Sequence, residues 1–168
     1  RFHTTGRLSK ADALDMGLVG MPARSTGIKR DVRLTHPHDN YGPLKHQPVL
    51  LAGGDVHARA LLRDLEIRQS MNYVLGMIKN IPEPGKDVNV EKRKLKPRSL
   101  CVSLVEGWRG ELCHAAITGK NGEISCYRIK DPSMHNWFGL AMALRNQEIS
   151  DFPLCNKSFN LSYCGHDL

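Results

Sequence analysis

A long helical pattern in the middle of the chain is the feature that most constrains the fold. From Asp55 to about Asn80, apolar residues recur every three or four positions, which predicts a single helix. Pro82, Pro84 and Gly85 would end it. At about 1.5 Å per residue the helix would be about 35 to 40 Å long, so the rest of the chain must pack along it. The positions expected to face the core are Val56, Ala60, Leu61, Leu65, Met71, Val74, Leu75 and Ile78.

The C-terminal half of the sequence predicts a small antiparallel sheet. Residues 99–105, 111–118 and 124–129 have the character of strands, and glycine-rich turns at 107–110 and 119–122 join them into a meander. Asp131 and Pro132 then begin a second helix that runs to about Arg145. The expected fold is therefore α+β and helix-rich.

The sequence predicts one unit with four parts. Residues 1–82 form a helical part, 83–98 a basic linker, 99–130 the meander, and 131–168 a helix and tail. Near the start, Ser9 and Asp12 predict a short capped helix. Residues 21–48 carry so many prolines and glycines that we expect an irregular stretch.

The charge and the cysteines limit the class of protein. The net charge of +7 is concentrated at residues 91–98, where no aromatic residue interleaves, which favours a solvated linker over nucleic-acid binding. A contact with an acidic partner or an anionic membrane surface stays open.

Five cysteines without disulfide-like spacing indicate a reducing compartment. No apolar run approaches the ~20 residues that cross a bilayer, so we expect a soluble intracellular chain. It begins with Arg1 rather than Met, so we expect a piece of a longer protein.

Candidate site residues are weak signals when each is taken alone. His36, His38, His46 and the pair Cys113 and His114 lack the paired spacing of a structural zinc site. Polar residues one helical turn apart on the long helix are typical of a solvated face with ordinary ion pairs. Arg109 lies in a tight strand connection, where its planar five-donor fork can point at an anion.

Taken in order, these signals resemble a known family. The pattern resembles the 49-kilodalton-type large subunit of respiratory complex I and the large subunits of membrane-bound, energy-converting nickel-iron hydrogenases. In those hydrogenases a Glu-x-Pro-Arg-Gly motif brings an arginine close to the metal centre; here Trp108 replaces the proline and Arg109 keeps the arginine. The sequence around Asn136 and along 156–163 is closer to the hydrogenase-related branch. The residues that carry the resemblance are Leu18, Gly20, Arg24, Ser25, Gly27, Asp31, Arg33, Tyr41, Gly54, Asp55, Arg59, Arg63, Glu66, Ser70, Glu106, Arg109, Gly110, Glu111, Tyr127, Arg128, Pro132, Ser133, Asn136, Asp151 and the tail 158–167.

The tail differs from the hydrogenase pattern at the metal ligands. Hydrogenase large subunits end with Asp-Pro-Cys-x-x-Cys-x-x-His or Arg, and that alignment puts the two thiolate positions on Ser162 and Gly165. Nickel needs thiolates, so the resemblance implies a former nickel site and no metal in this chain. Cys164 is one position out of place, and it and His166 are the stray ligands that a shifted alignment could use.

The resemblance implies a C-terminal part of the large subunit of a membrane-bound oxidoreductase. Its expected partners are an iron-sulfur small subunit, membrane-arm subunits, the N-terminal half of the same large subunit, and a quinone or similar acceptor, with no nucleic acid. The chain itself would hold no cofactor, the iron-sulfur cluster would lie in the partner, and electrons would come from NAD(P)H or ferredoxin. The complex would lie peripherally on the cytoplasmic face of the membrane, and this fragment alone would be inactive.

Within that picture, particular residues have expected roles. Arg109 would stabilise developing negative charge near the cavity, and Asp55, Arg59, Arg63 and Glu66 would form a buried charge network that serves as a conduit toward the membrane arm. Two alternatives stay open. One is an active nickel-iron hydrogenase with an unusual ligand set, and the other is a non-catalytic docking subunit.

Overall fold

The fold is known from a computed structural model, which describes residues 1–38, 41–81 and 94–164. The predicted fold class is confirmed: a long helix accompanies a three-stranded antiparallel sheet of order β1-β2-β3. Residues 83–93 of the predicted linker lie outside the described residues, as do Pro82, Pro84 and Gly85, which were expected to end the long helix. In chain order the elements are α1 (Lys10–Asp15), α2 (Gly20–Ser25), α3 (Val32–Thr35), α4 (Tyr41–Leu44), α5 (Val56–Ile78), β1 (Leu100–Gly107), β2 (Gly110–Thr118), β3 (Ile124–Lys130), α6 (Pro132–Ala143), a 3₁₀ turn (Ile149–Asp151) and α7 (Phe152–Phe159).

Short helices fill the region before α5. The predicted capped helix is confirmed as α1, where the Ser9 hydroxyl accepts from the Asp12 amide and the Asp12 side chain closes a capping box. The expectation of an irregular stretch at 21–48 was wrong in part, because α2, α3 and α4 lie there. Helices of four to six residues gain little from propensity alone, so packing rather than sequence pattern holds them.

Helix α5 begins where the sequence predicts but is buried differently. Asp55 is its N-cap and accepts from the amides of Ala58 and Thr4, each at 2.8 Å. The buried residues of α5 all lie between Val56 and Leu62. Most residues in the second half of the helix are exposed to solvent. Of the predicted core positions, Val56 is buried and Leu65 half-buried. The prediction was wrong for the rest, which are exposed: Ala60, Leu61, Met71, Val74, Leu75 and Ile78.

The core lies where α1, α2, α6 and α7 meet the first turns of α5. Helix α7, which the sequence did not predict, contributes Cys155 and Phe159, and its C-cap Asn160 adopts a left-handed conformation with φ 55°. Among the described residues, no helix is both long enough and apolar enough to cross a membrane. The buried cluster comprises Leu8, Ala13, Leu18, Ala23, Val56, Leu140, Ala143, Cys155, Phe159 and Leu161.

The sheet is a meander that touches the helices at one hairpin tip. Strands β1 and β2 pair in register from Leu100 opposite Ile117 to Gly107 opposite Gly110, leaving Trp108 and Arg109 as the turn. Gly110 packs directly on Gly20 at the start of α2. A Cβ added to Gly20 would collide with the Cα of Gly110, so only backbone fits at this crossing.

We expect Gly20→Ala to destabilise the protein far more than Gly17→Ala. Both glycines have positive φ, 63° and 65°, so alanine at either site costs about 1–2 kcal/mol of backbone strain. A Cβ at Gly17 meets no atom within 4 Å, whereas one at Gly20 collides with the hairpin backbone. The loss at Gly20 should therefore exceed about 4 kcal/mol of unfolding free energy, measured by urea denaturation. Equal losses in the two variants would contradict the close crossing.

Candidate functional site

A buried arginine joins four parts of the fold. The guanidinium of Arg24, on α2, donates to Glu106 of β1 at 2.6 Å and to Glu66 of α5 at 3.0 Å. It also lies 3.6 Å from Asp31, the N-cap of α3. The side chains of Arg24, Asp31 and Glu106 are at most 3% exposed. Charged groups this deep must be paired, so their pairing fixes how these elements sit against one another.

A second arginine and a histidine extend this cluster. Arg33 binds Asp31 through a contact of 2.6 Å and reaches Glu66 at 3.4 Å. The ring of His46 lies between Asp31 Oδ2 and the Tyr73 hydroxyl, 3.3 Å from each. The six side chains Arg24, Asp31, Arg33, His46, Glu66 and Glu106 are called the Arg24 cluster below.

Burial and pairing set the protonation of the Arg24 cluster. Burial pushes the pKa of Asp31 up, but the hydrogen bond from Arg33 and the charges of Arg24 and Arg33 outweigh it and lower the pKa. Burial raises the pKa of Glu106 despite the opposing charge of Arg24. Burial and Arg33 lower the pKa of His46, so its ring is neutral at pH 7. The cluster therefore combines an ionised carboxylate with a carboxyl that is easier to protonate.

Four members of the Arg24 cluster, Arg24, Arg33, Glu66 and Glu106, line one side of an open cavity of about 590 Å³. Its opposite wall is the exposed second half of α5, and Trp108 stands at its edge. A polar side facing an apolar wall suits an organic molecule with a polar head and an apolar body. The lining residues are Arg24, Arg33, Glu66, Ile67, Ser70, Met71, Val74, Leu75, Glu106, Gly107 and Trp108.

Two further arginines, both on α5, bind backbone carbonyls rather than carboxylates. Arg59 is fully buried and donates to the Ser158 hydroxyl at 2.8 Å and to the carbonyls of Gly54 and Gly6 at 2.8 and 2.9 Å. Burial lowers the pKa of Arg59 to about 10, so it is still a cation at pH 7. Arg63 donates to the carbonyl of Phe159 at 3.2 Å.

Arg109 connects the hairpin tip to the C-terminal tail. Its Nε donates to the carbonyl of Asn160, the left-handed residue that ends α7. Close by, a second cavity of about 420 Å³ lies between Arg63, Trp108 and Lys157. Trp108 lines both cavities, and the guanidinium of Arg63 lies 5.6 Å from the centre of its ring. The cations of Arg63 and Lys157 and the indole of Trp108 thus line one cavity beside the tail.

The tail itself is held through its backbone. The Ser162 amide donates to the buried Ser133 hydroxyl at 3.0 Å, next to the N-cap of α6. Cys164 is exposed, and Gly165 and His166 lie outside the described residues. Cys155 is buried, and a Cβ at Gly6 would lie 2.6 Å from its sulfur. Within residues 1–38, 41–81 and 94–164, no three His, Cys, Asp or Glu side chains lie close enough to hold a metal ion.

The structure divides the four residues expected to form one charge network. Glu66 belongs to the Arg24 cluster, Asp55 caps α5, and Arg59 and Arg63 bind carbonyls. Among the described residues Arg63 and Glu66 form no ion pair, whereas Asp64 and Arg68 on the same helix pair at 3.0 Å. In the sequence, Arg24, Asp31 and Arg33 stand out only as motif residues, and His46 only as a possible metal ligand. The one signal that could have joined them is that Arg24, Asp31, Arg33 and Glu106 all belong to the motif residues.

Comparison with known proteins gives a consistent family. The sequence model of a family described as "Respiratory-chain NADH dehydrogenase, 49 Kd subunit" matches residues 1–101. Formate hydrogenlyase subunit 5 of Escherichia coli (strain K12) is 31% identical over 94% of this chain and 27% of its own length. An NADH-quinone oxidoreductase subunit of Geobacillus kaustophilus (strain HTA426) is 31% identical over 90% of this chain and 41% of its own length.

A solved structure shares the fold. The chain aligns along its whole length with 47% of a chain from the membrane-bound sulfane sulfur reductase (MBS), described as an archaeal respiratory membrane complex. The TM-score is 0.89 at 23% sequence identity, which shows a common fold. The chain thus spans less than half the length of each of these three proteins.

We expect Arg24→Met to be strongly destabilising and Arg68→Met to change little. Removing Arg24 leaves buried carboxyl groups short of a partner, and breaking a buried ion pair costs about 3–5 kcal/mol. Arg68 pairs with Asp64 at a similar distance, but their side chains are 71% and 52% exposed, so water compensates for the loss. Unfolding free energies from urea denaturation compare the two variants. Similar losses in both would show that the Arg24 cluster does not hold the fold.

Proposed function

This chain belongs to the family of the 49-kilodalton subunit of respiratory-chain NADH dehydrogenase, and we propose that it works as part of the large subunit of a hydrogenase-related, membrane-bound electron-transfer complex that carries no nickel. Its electron acceptor is a quinone or a similar molecule, as in an NADH:quinone oxidoreductase. The electron donor, NAD(P)H or ferredoxin, binds elsewhere in the complex.

The observation that carries the nickel-free proposal is the lack of a thiolate pair in the tail. The sequence contains no Cys-x-x-Cys at any position. The residue at the first ligand position, Ser162, offers a hydroxyl, and the backbone there is tied to Ser133. The two cysteines near this position are Cys164, which is exposed, and Cys155, which is buried against Gly6. Burial raises the pKa of the Cys155 thiol, which disfavours the thiolate that nickel needs.

The two cavities around Trp108 support a quinone-like acceptor. Such a ring carries carbonyl oxygens that gain negative charge on reduction, and a fixed guanidinium stabilises that charge without reorganising. Arg63 lines one cavity beside Trp108, and Arg109 is held at the adjacent turn by Asn160. The apolar wall of α5 would hold the hydrophobic part of the molecule. The chain's residues thus bind and polarise the acceptor, while an iron-sulfur cluster in a partner subunit would supply the electrons.

The proposed partners follow from the family and from the exposed surface. They are an iron-sulfur small subunit, membrane-arm subunits and the N-terminal half of the same large subunit, assembled on the cytoplasmic face of the membrane. The second half of α5 exposes a row of apolar side chains of the kind that such interfaces cover: Ile67, Met71, Val74, Leu75, Met77 and Ile78.

Two other functions each have an observation in their favour. One relative carries the name formate hydrogenlyase, which favours an active nickel-iron hydrogenase with an unusual ligand set, using Cys164 and His166. The long apolar surface of α5 favours a purely structural docking subunit without redox chemistry. The docking function requires that Arg109→Ala impair electron transfer only as far as it impairs assembly.

We expect the intact large subunit, purified with its iron-sulfur partner, to contain no stoichiometric nickel. Elemental mass spectrometry would measure nickel and iron together, with iron expected only in the amount held by the partner's clusters. A nickel content of one per large subunit would overturn the proposal and point to Cys164 or Cys155 as ligands in an unorthodox hydrogenase site.

We also propose that Asp55, Arg59, Arg63 and Glu66 form a conduit between the cavity and the membrane arm. They lie about one turn apart along α5. Burial lowers the pKa of Arg59 and of Arg63, and the charges of Asp55 and Glu66 respectively oppose this effect. Each arginine in the row therefore lies in the field of a carboxylate one turn away.

Asp55→Asn should lower the coupled activity of the complete complex while leaving its assembly intact. Asparagine caps a helix as well as aspartate does, so the change removes the charge and keeps the bond from Ala58, while the bond from Thr4 is lost because the amide has a single oxygen. Ion transport per electron, measured in proteoliposomes, would report the effect. Asp64→Asn is the matched control, because Asp64 is exposed on the same helix. Unchanged coupling in Asp55→Asn would remove the conduit from the proposal.

A further inference from the structure

One buried amide holds the turn that carries Arg109. Asn136, on α6, is fully buried. Its Oδ1 accepts from the amide of Val19 at 3.1 Å, and its Nδ2 donates to the carbonyls of Val19 and Arg109, each at 3.3 Å. The side chain thus uses its acceptor and both of its protons on the backbone of two other segments.

These two segments are the ones that cross at the glycine contact. Val19 precedes Gly20, and Arg109 precedes Gly110, so Asn136 bonds immediately beside the point where the backbones of Gly20 and Gly110 touch. Glycine makes the approach possible but supplies no bond between the segments. Asn136 supplies it, which fixes the main chain of Arg109 with respect to α2.

The same helix also holds the tail that receives the Arg109 side chain. Ser133, one turn before Asn136, binds the amide of Ser162, while Arg109 reaches the carbonyl of Asn160. Helix α6 therefore binds both the backbone of Arg109 and the tail segment that accepts a hydrogen bond from its side chain. A shift of the turn relative to α6 would carry the guanidinium away from the tail or into it.

We propose that Asn136 is the positioning residue for Arg109. Through its bond to the Arg109 carbonyl it sets where the guanidinium stands relative to the tail and the acceptor cavity. This inference rests on the proposed function, in which Arg109 stabilises charge on a quinone-like acceptor.

Two substitutions separate the bonds of Asn136. Asn136→Ala removes all three. Asn136→Asp keeps the shape and the acceptor for the Val19 amide, but even when protonated it has one proton to donate, so at least one of the bonds to the Arg109 and Val19 oxygens is lost. Leu140→Val is the control, because Leu140 is a buried core residue of the same helix and lies outside the Arg109 contact.

The first measurement is backbone hydrogen exchange of residues 107–111 in the intact complex. Both Asn136 variants should exchange there at least about tenfold faster than the parent, while Leu140→Val, matched for melting temperature, should not. Equal acceleration in the control would mean a general loss of stability and would overturn the proposal. This readout does not depend on the acceptor being a quinone.

The second measurement is steady-state reduction of a short-chain quinone by the complex. Asn136→Ala should lower kcat at least about tenfold with a smaller change in KM, and it should add no further loss in an Arg109→Ala background. Additive losses, or full activity in Asn136→Ala, would overturn the positioning role. If Arg109→Ala alone leaves kcat unchanged, the proposed role of Arg109 fails, and the exchange data alone decide whether Asn136 fixes the turn.

Discussion

The burial of Arg24 is the interaction on which the rest of the structure depends. A guanidinium that is 2% exposed needs partners for its charge and its N–H groups, and those of Arg24 are carboxylates from α5, β1 and the N-cap of α3. Each partner belongs to a different element, so satisfying one side chain fixes three elements around α2. Glu106 has the largest consequence, because it lies in β1 close to the hairpin tip and brings the sheet against the helices there.

The sheet can come this close to the helices only because no side chain lies between the two backbones. Gly20 and Gly110 make this possible, since any Cβ at their crossing would meet backbone atoms. The result is a hairpin turn inserted between two cavities, with Trp108 lining both and Arg109 directed to the tail. Charge pairing, glycine contact and the Asn136 amide act on the same few residues of backbone, so the position of Arg109 is determined from three sides.

Local signals in the sequence were sufficient for α1, α5, α6 and the three strands, but not for the other short helices or for how much of α5 is buried. The start of α5 follows from an Asp55 cap, and the meander from its turns, because each signal lies within a few residues of what it determines. Periodicity identified an apolar face of α5 but could not tell how far the neighbouring helices extend along it, so Met71 and Leu75 were placed in the core. The partners of Glu66 lie 42 and 33 residues away in the chain, beyond any i, i+3 rule. Helix α7 has eight residues and lacks a side-chain cap hydrogen bond, so only its packing reveals it.

The described part of the tail is held by bonds to its backbone. Arg63 binds the carbonyl of Phe159, Arg109 that of Asn160, and Ser133 the amide of Ser162. All three bonds go to the backbone, so they place no demand on the side chain at position 162. A cysteine could therefore give way to serine there without unfolding the tail, which would separate the shape of the site from its metal chemistry. Under the proposed function, the guanidinium groups of Arg63 and Arg109 are the part of the site that acts on the acceptor, so their activity depends on how accurately the backbone bonds place them.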